Sequence, residues 1–139
     1  MRLLYRDTNA TDLRGSTIAD YLVNIEAFFE VVDGREVIYS EPYFPVVELA
    51  RELAHWLPLG ESRAPDFHLS SLSFEDPGAV MILRGESGWR VGSMFTPEVK
   101  SAPIPWDRLA VCIGDFISDA RRDVLGLGIS PDFLDLVES

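Results

Sequence analysis

FPVVELARELAHWLP, residues 44–58, decides how the rest of the chain must be arranged. Its apolar side chains recur at Val46, Leu49, Ala50, Leu53, Trp56 and Leu57, the i, i+3, i+4, i+7 spacing of one helical face. Glu48, Arg51, Glu52 and His55 fall on the other face, which places them in solvent. A helix with such a stripe has to bury it against a sheet or another helix. Pro45 suits the first helical position, where its missing N–H is not needed. Glu48 and His55 complement the positive and negative ends of the helix dipole. Pro58 disfavours further helix at Leu57.

On the N-terminal side of this helix the periodicity changes to two. Tyr21, Val23, Ile25, Ala27, Phe29 and Val31 alternate with Asn24, Glu26 and Glu30, although Leu22, Phe28 and Val32 break the pattern. The spacing predicts one long half-buried strand. It stops at Asp33-Gly34, a dipeptide that favours a two-residue type I′ turn, and residues 35–41 return as its partner. Residues 2–6 (RLLYR) form a further short strand, and residues 7–15 are polar and turn-rich.

On the C-terminal side, residues 67–75 alternate, with a phase slip at Ser70-Ser71 that suggests a bulge. Residues 79–84 are almost wholly apolar, as in a strand covered on both faces. Residues 89–95 alternate again, so the three segments predict an antiparallel meander. Residues 96–105 carry three prolines and read as an extended connector. Residues 106–125 repeat the helical pattern through Trp106, Leu109, Ala110, Ile113, Phe116, Ile117, Ala120 and Val124, closed by Gly126 and Gly128. Ser130-Pro131-Asp132 then opens a short final helix. The order is β-β-β-α-β-β-β-α. It predicts a single α+β domain over residues 1–139: one antiparallel sheet of five to six strands with both amphipathic helices on one face.

Twenty-three acidic against twelve basic residues give a net charge of -11 and a sequence pI of about 4.4. That balance argues against nucleic acid, which calls for a basic stripe, and permits a basic protein partner. No apolar run approaches the ~20 residues of a membrane span. The start MRLLYRDTNA meets charge too soon for a secretory signal, so a cytoplasmic protein is expected. The single Cys112 excludes an internal disulfide and suits a reducing compartment.

No recognisable reaction centre is present. There is no G-x-S-x-G elbow, P-loop or G-x-G-x-x-G. The two histidines, His55 and His68, lack the neighbours of a zinc site, so neither metal nor cofactor is expected. Cys112 reads as a small residue at the edge of the second helix's buried stripe. Asp66, His68 and Glu75 are the polar groups that a pocket between sheet and helices would have to use. The second helix carries the more informative charge: Asp115, Asp119 and Asp123 recur at i, i+4, i+8. Like charges at that spacing disfavour a helix by about 0.2–0.5 kcal/mol per pair. The simpler reading is a solvated face of mixed charge; the sharper one is an acidic ridge kept for a cationic partner. Glu26 and Glu30 share one face of the long strand. Tyr39, Tyr43, Phe44 and Trp89 sit at strand ends or turns, where they serve as plugs or as interface anchors.

Three segments, YSEPYFPVVELARELAHWL, GWRVGSMF and DRLAVCIGDFISDARRDVL, together resemble small bacterial proteins found as immunity partners in polymorphic or contact-dependent toxin systems. The resemblance implies a non-enzymatic protein that occludes a toxin, often a nuclease or another basic effector. On charge and exposure, the expected contacts are Asp115, Asp119 and Asp123, then Glu26 and Glu30, with Tyr43 and Trp89 as anchors. The alternatives are a small ligand-binding domain or enzyme using Asp66, His68 and Glu75, and a self-associating structural subunit.

Overall fold

The computed structural model describes residues 1–136. Residues 44–58 do form the central helix, α2 (Val46–Trp56), which begins one residue after Pro45. Leu49, Ala50 and Leu53 are fully buried along its stripe. The other elements are β1 (Arg2–Asn9), α1 (Ile18–Asn24), β2 (Glu26–Asp33), β3 (Glu36–Phe44), β4 (Phe67–His68), β5 (Met81–Gly85), β6 (Gly88–Gly92) and α3 (Trp106–Gly126). Short 3-10 turns follow α2 and close the described chain at Pro131–Leu134.

The class is α+β, but the strands form two three-stranded antiparallel sheets, β1-β2-β3 and β4-β5-β6, and not one. The connector between β6 and α3 keeps them apart. It lies along β6, with Trp89 N–H donating to the Ile104 carbonyl at 2.8 Å and Ser101 N–H to that of Val91 at 2.9 Å. On its other side, among the described residues, its hydrogen bonds to the first sheet each use one side chain: the Thr96 hydroxyl donates to the Ile38 carbonyl, and the Asp33 carboxylate accepts from Ala102 N–H. Pro97, Pro103 and Pro105 have no N–H to offer, so no continuous ladder can cross this seam. Gly88 permits the close approach to β6: a Cβ there would lie 2.7 Å from the Ile104 carbonyl oxygen.

The long strand expected from Tyr21 onward is two elements. Residues 18–24 are helical because Thr17 and Asp20 form a capping box, each side chain bonding the other's backbone N–H. Ile18, Tyr21, Leu22 and Ile25 then turn inward at helical spacing. Leu22, the exception to the alternation, marks this helix. The hairpin follows as expected, but its central residues are Gly34 and Arg35, between the paired Asp33 and Glu36. Only Gly34 has positive φ (63°), so the turn is not type I′, which needs two such residues.

The strand expected over residues 67–75 ends after His68. Leu69 N–H still bonds the Val80 carbonyl, and residues 70–77 loop out before Gly78 N–H returns to the Leu69 carbonyl. The end of α3 is a Schellman motif, with Gly128 N–H donating to the Leu125 carbonyl and Ile129 N–H to that of Val124. Both long helices face the inner side of the first sheet. Phe29 of β2 stacks on Phe44 at 4.4 Å and meets Phe116 of α3 edge-on at 5.9 Å. Trp56, Trp89 and Trp106 close the other end of the same continuous core.

Candidate partner-binding surface

The first sheet has one buried and one open face. Ala27, Phe29 and Val31 of β2 point into the core, which leaves Glu26, Phe28, Glu30 and Val32 on the outer face. Register places Arg2, Leu4 and Arg6 beside Val32, Glu30 and Phe28 there. The Arg6 guanidinium lies 4.5 Å from the centre of the Phe28 ring. A bulge in β3 sets Pro42 and Tyr43 opposite Phe28, and Tyr43 is 70% exposed. Glu26 is half-buried in a hollow shared with Asp7, Asn9, Phe28 and Tyr43. Burial, and then the nearby Asp12 charge, raise its carboxyl above the usual range.

The aspartate ladder flanks this sheet at the β1 edge. The Tyr5 hydroxyl donates to Asp123, and Cys112 Sγ–H to the Met1 carbonyl at 2.9 Å. Burial, together with this carboxylate, raises the Tyr5 hydroxyl far above its ordinary value. Asp115 and Asp119 lie between those two contacts along the same flank of α3. With Arg2, Leu3, Leu4, Cys112 and Ser118 they line a groove of about 290 Å³. The ladder is not uniformly free: Asp119 pairs with Arg122 at 3.2 Å, and Asp123 lies 3.8 Å from Arg122 Nε. Asp115 is exposed and has no ion pair among the described residues.

Trp89 cannot anchor a partner. It is 2% exposed, packed against Trp56 and Trp106 and covered by the Arg84 guanidinium at 4.6 Å. Tyr39 and Phe44 are likewise buried in the aromatic core. Asp115, Asp119, Asp123, Glu26, Glu30 and Tyr43 border the first sheet, whereas Trp89 belongs to the second.

Asp66, His68 and Glu75 do not converge on a pocket. All three are exposed, and Asp66 accepts the Arg84 N–H at 2.8 Å, as a strand-end clamp does. No group of three metal-ligating side chains occurs among the described residues.

Two of the charges expected in solvent on α2 are buried instead. Glu48 is 2% exposed and accepts from the Ser71 hydroxyl and, at 3.0 Å, from Leu72 N–H. Burial raises its carboxyl above the usual range, although the two hydrogen bonds oppose the shift. Arg51 is 5% exposed and donates to the carbonyls of Phe133, at 3.3 Å, and Leu136, at 2.8 Å. His55 is half-buried, with an Nε2 that has no hydrogen-bond partner among the described residues. The one sequence signal for this burial is Val47, which widens the apolar arc toward Glu48 and Arg51.

Fold and surface thus define an α+β protein with an open sheet face beside an acidic helix flank. Residues 3–125 match the model of a family described as a domain of unknown function (DUF7878), and the chain belongs to that family. No curated protein and no solved structure gives a significant match. No described helix is long and apolar enough to cross a membrane.

Proposed function

We propose that this protein is a non-enzymatic binding module that covers a cationic surface on a protein partner, in the manner of an immunity protein neutralising a toxin. The observation that carries the reading is the exposed Asp115, at the border of the open sheet face, in a chain of net charge -11. A surface of one sign speeds encounter with an oppositely charged partner and makes binding sensitive to salt. Tyr43, 70% exposed on the same sheet, supplies an amphipathic anchor of the kind that dominates interface energetics. The toxin-neutralising form of the proposal rests on the resemblance of residues 39–57, 88–95 and 107–125 to immunity proteins.

The test is affinity capture from the native host at low and high salt, with wild type and with Asp115→Lys and Tyr43→Ala. The expected result is a basic protein that is retained at low salt, released at high salt and weakened by both substitutions. Expression of the captured protein alone should arrest growth, and co-expression with this chain should restore it. Capture indifferent to salt and to both substitutions overturns the electrostatic reading; a captured partner harmless on its own overturns the toxin-neutralising form.

A further inference from the structure

We infer that the free edge of β1 is a strand-addition site, and that its occupant is an extended segment of the partner carrying basic residues at alternate positions. The inference rests on the proposed cationic partner and adds how that partner is held. β1 pairs with β2 on one side only and is therefore an edge strand. Backbone N–H and C=O groups along a strand alternate between its two edges. The Met1 carbonyl turns away from β2 to accept from Cys112 on α3. By that alternation Leu3 and Tyr5 direct their N–H and C=O to the α3 side, while Arg2, Leu4 and Arg6 bond to β2. Neither Leu3 nor Tyr5 makes a backbone hydrogen bond outside the β1–β2 ladder among the described residues.

Native sheets ordinarily cover or distort such an edge. Here the opposite edge strand, β3, is held by the connector through Thr96, with Ala102 bonded to Asp33 at the end of β2, whereas the β1 edge opens on the groove of about 290 Å³. A second groove, of about 480 Å³, continues past Cys112 to Met1, Ile104 and Val111, the last 63% exposed. The straight part of the edge is residues 2–6, because Asp7, with φ 58°, shifts the register beyond them. An added strand would present alternate side chains to the two faces of the sheet. Those on the inner side meet Asp115 and Asp119, which calls for Lys or Arg. Those on the outer side meet Arg2 and Leu4, which calls for neutral residues.

The test uses the intact protein and an eight-residue peptide alternating threonine and lysine, with blocked ends. Two further peptides serve as controls: one with its alternate amides N-methylated, and one with glutamate for lysine. Binding of the first should slow amide hydrogen exchange at Leu3 and Tyr5. N-methylation should weaken binding about tenfold or more, since each lost backbone bond contributes about a few-fold. Asp115→Lys should weaken it several-fold with the fold intact. Equal binding of the N-methylated peptide, or no binding of the threonine–lysine peptide, overturns the edge site and leaves the cationic partner standing. Equal binding of the glutamate peptide overturns the cationic partner itself.

Discussion

The two long helices carry charge at similar periodicities and use it in opposite ways. On α2, Glu48 and Arg51 are buried, and each holds a segment distant in sequence: Glu48 the Ser71 hydroxyl and the Leu72 N–H, Arg51 the carbonyls of residues 133 and 136. On α3, Asp115 faces solvent, and Asp119 and Asp123 are half-exposed beside β1. The difference lies in what each helix has beside it. α2 is the hub, in contact with α1, α3, β2 and the final 3-10 turn, so even its polar flanks are covered. α3 borders the sheet edge, and one flank is left open. A charged residue on a helical wheel is therefore solvent-facing only if no later segment folds over it.

The largest effect expected on breaking this contrast is at Arg51. Arg51→Ala removes a charged donor from the buried Phe133 carbonyl and the partly buried Leu136 carbonyl, which should destabilise the protein by about 3 kcal/mol. Urea denaturation measures it. Hydrogen exchange should show the amides of residues 133–136 opening first. A loss as small as that of a surface substitution would mean that water replaces Arg51 freely and that the buried face of α2 is nominal.

Next in size is a pH effect at Glu48. Its folded-state carboxyl is raised above the ordinary value of 4.5, with burial as the main cause. The folded protein thus holds this proton more tightly than the unfolded chain does. The resulting stabilisation is full below about pH 4.5 and is lost as pH rises through the higher folded value. Glu48→Gln keeps an acceptor for Leu72 N–H and a donor for Ser71 Oγ but cannot titrate. Its stability relative to wild type should therefore rise between pH 4 and pH 7. Glu26 titrates in the same direction, and Asp20 and Asp135, held low by hydrogen bonds to Thr17 and Arg121, in the opposite one. All three are common to both proteins and cancel in the difference. A constant difference across that range would show that Glu48 is solvated in the folded state.

What could be read in the sequence follows the same contrast. The stripes of α2 and α3, the hairpin at Gly34, the meander of β4 to β6 and the final Ser130 cap all rest on local periodicity or turn chemistry, and each could be found there. The split into two sheets could not, because it depends on where the proline connector lies between β3 and β6. The α1 helix was legible in Thr17-x-x-Asp20 and in Leu22, but the longer alternation through Val31 concealed it. The aspartate ladder was plain in its spacing. Its place beside the free edge of β1 follows only from the packing of Phe116 against Tyr5 and Phe29. Trp89, at the start of a strand, gave no sign that two other tryptophans would enclose it.

The smallest stability effect, and the one that sharpens the contrast most, is expected at Asp115. Asp115 and Asp119 are like charges four residues apart, an arrangement that weakens a helix by about 0.2–0.5 kcal/mol. Asp115→Lys converts that repulsion into attraction on an exposed flank. The protein should become slightly more stable, by about 0.5 kcal/mol or less, in thermal or urea unfolding. Arg51 should behave oppositely, since its loss reduces stability without touching the surface. If Asp115→Lys lowers stability appreciably, the ladder is a structural feature like the α2 charges. If it raises stability while weakening association with a basic partner, the carboxylate is retained at a small energetic disadvantage. Binding then becomes the reason for its presence.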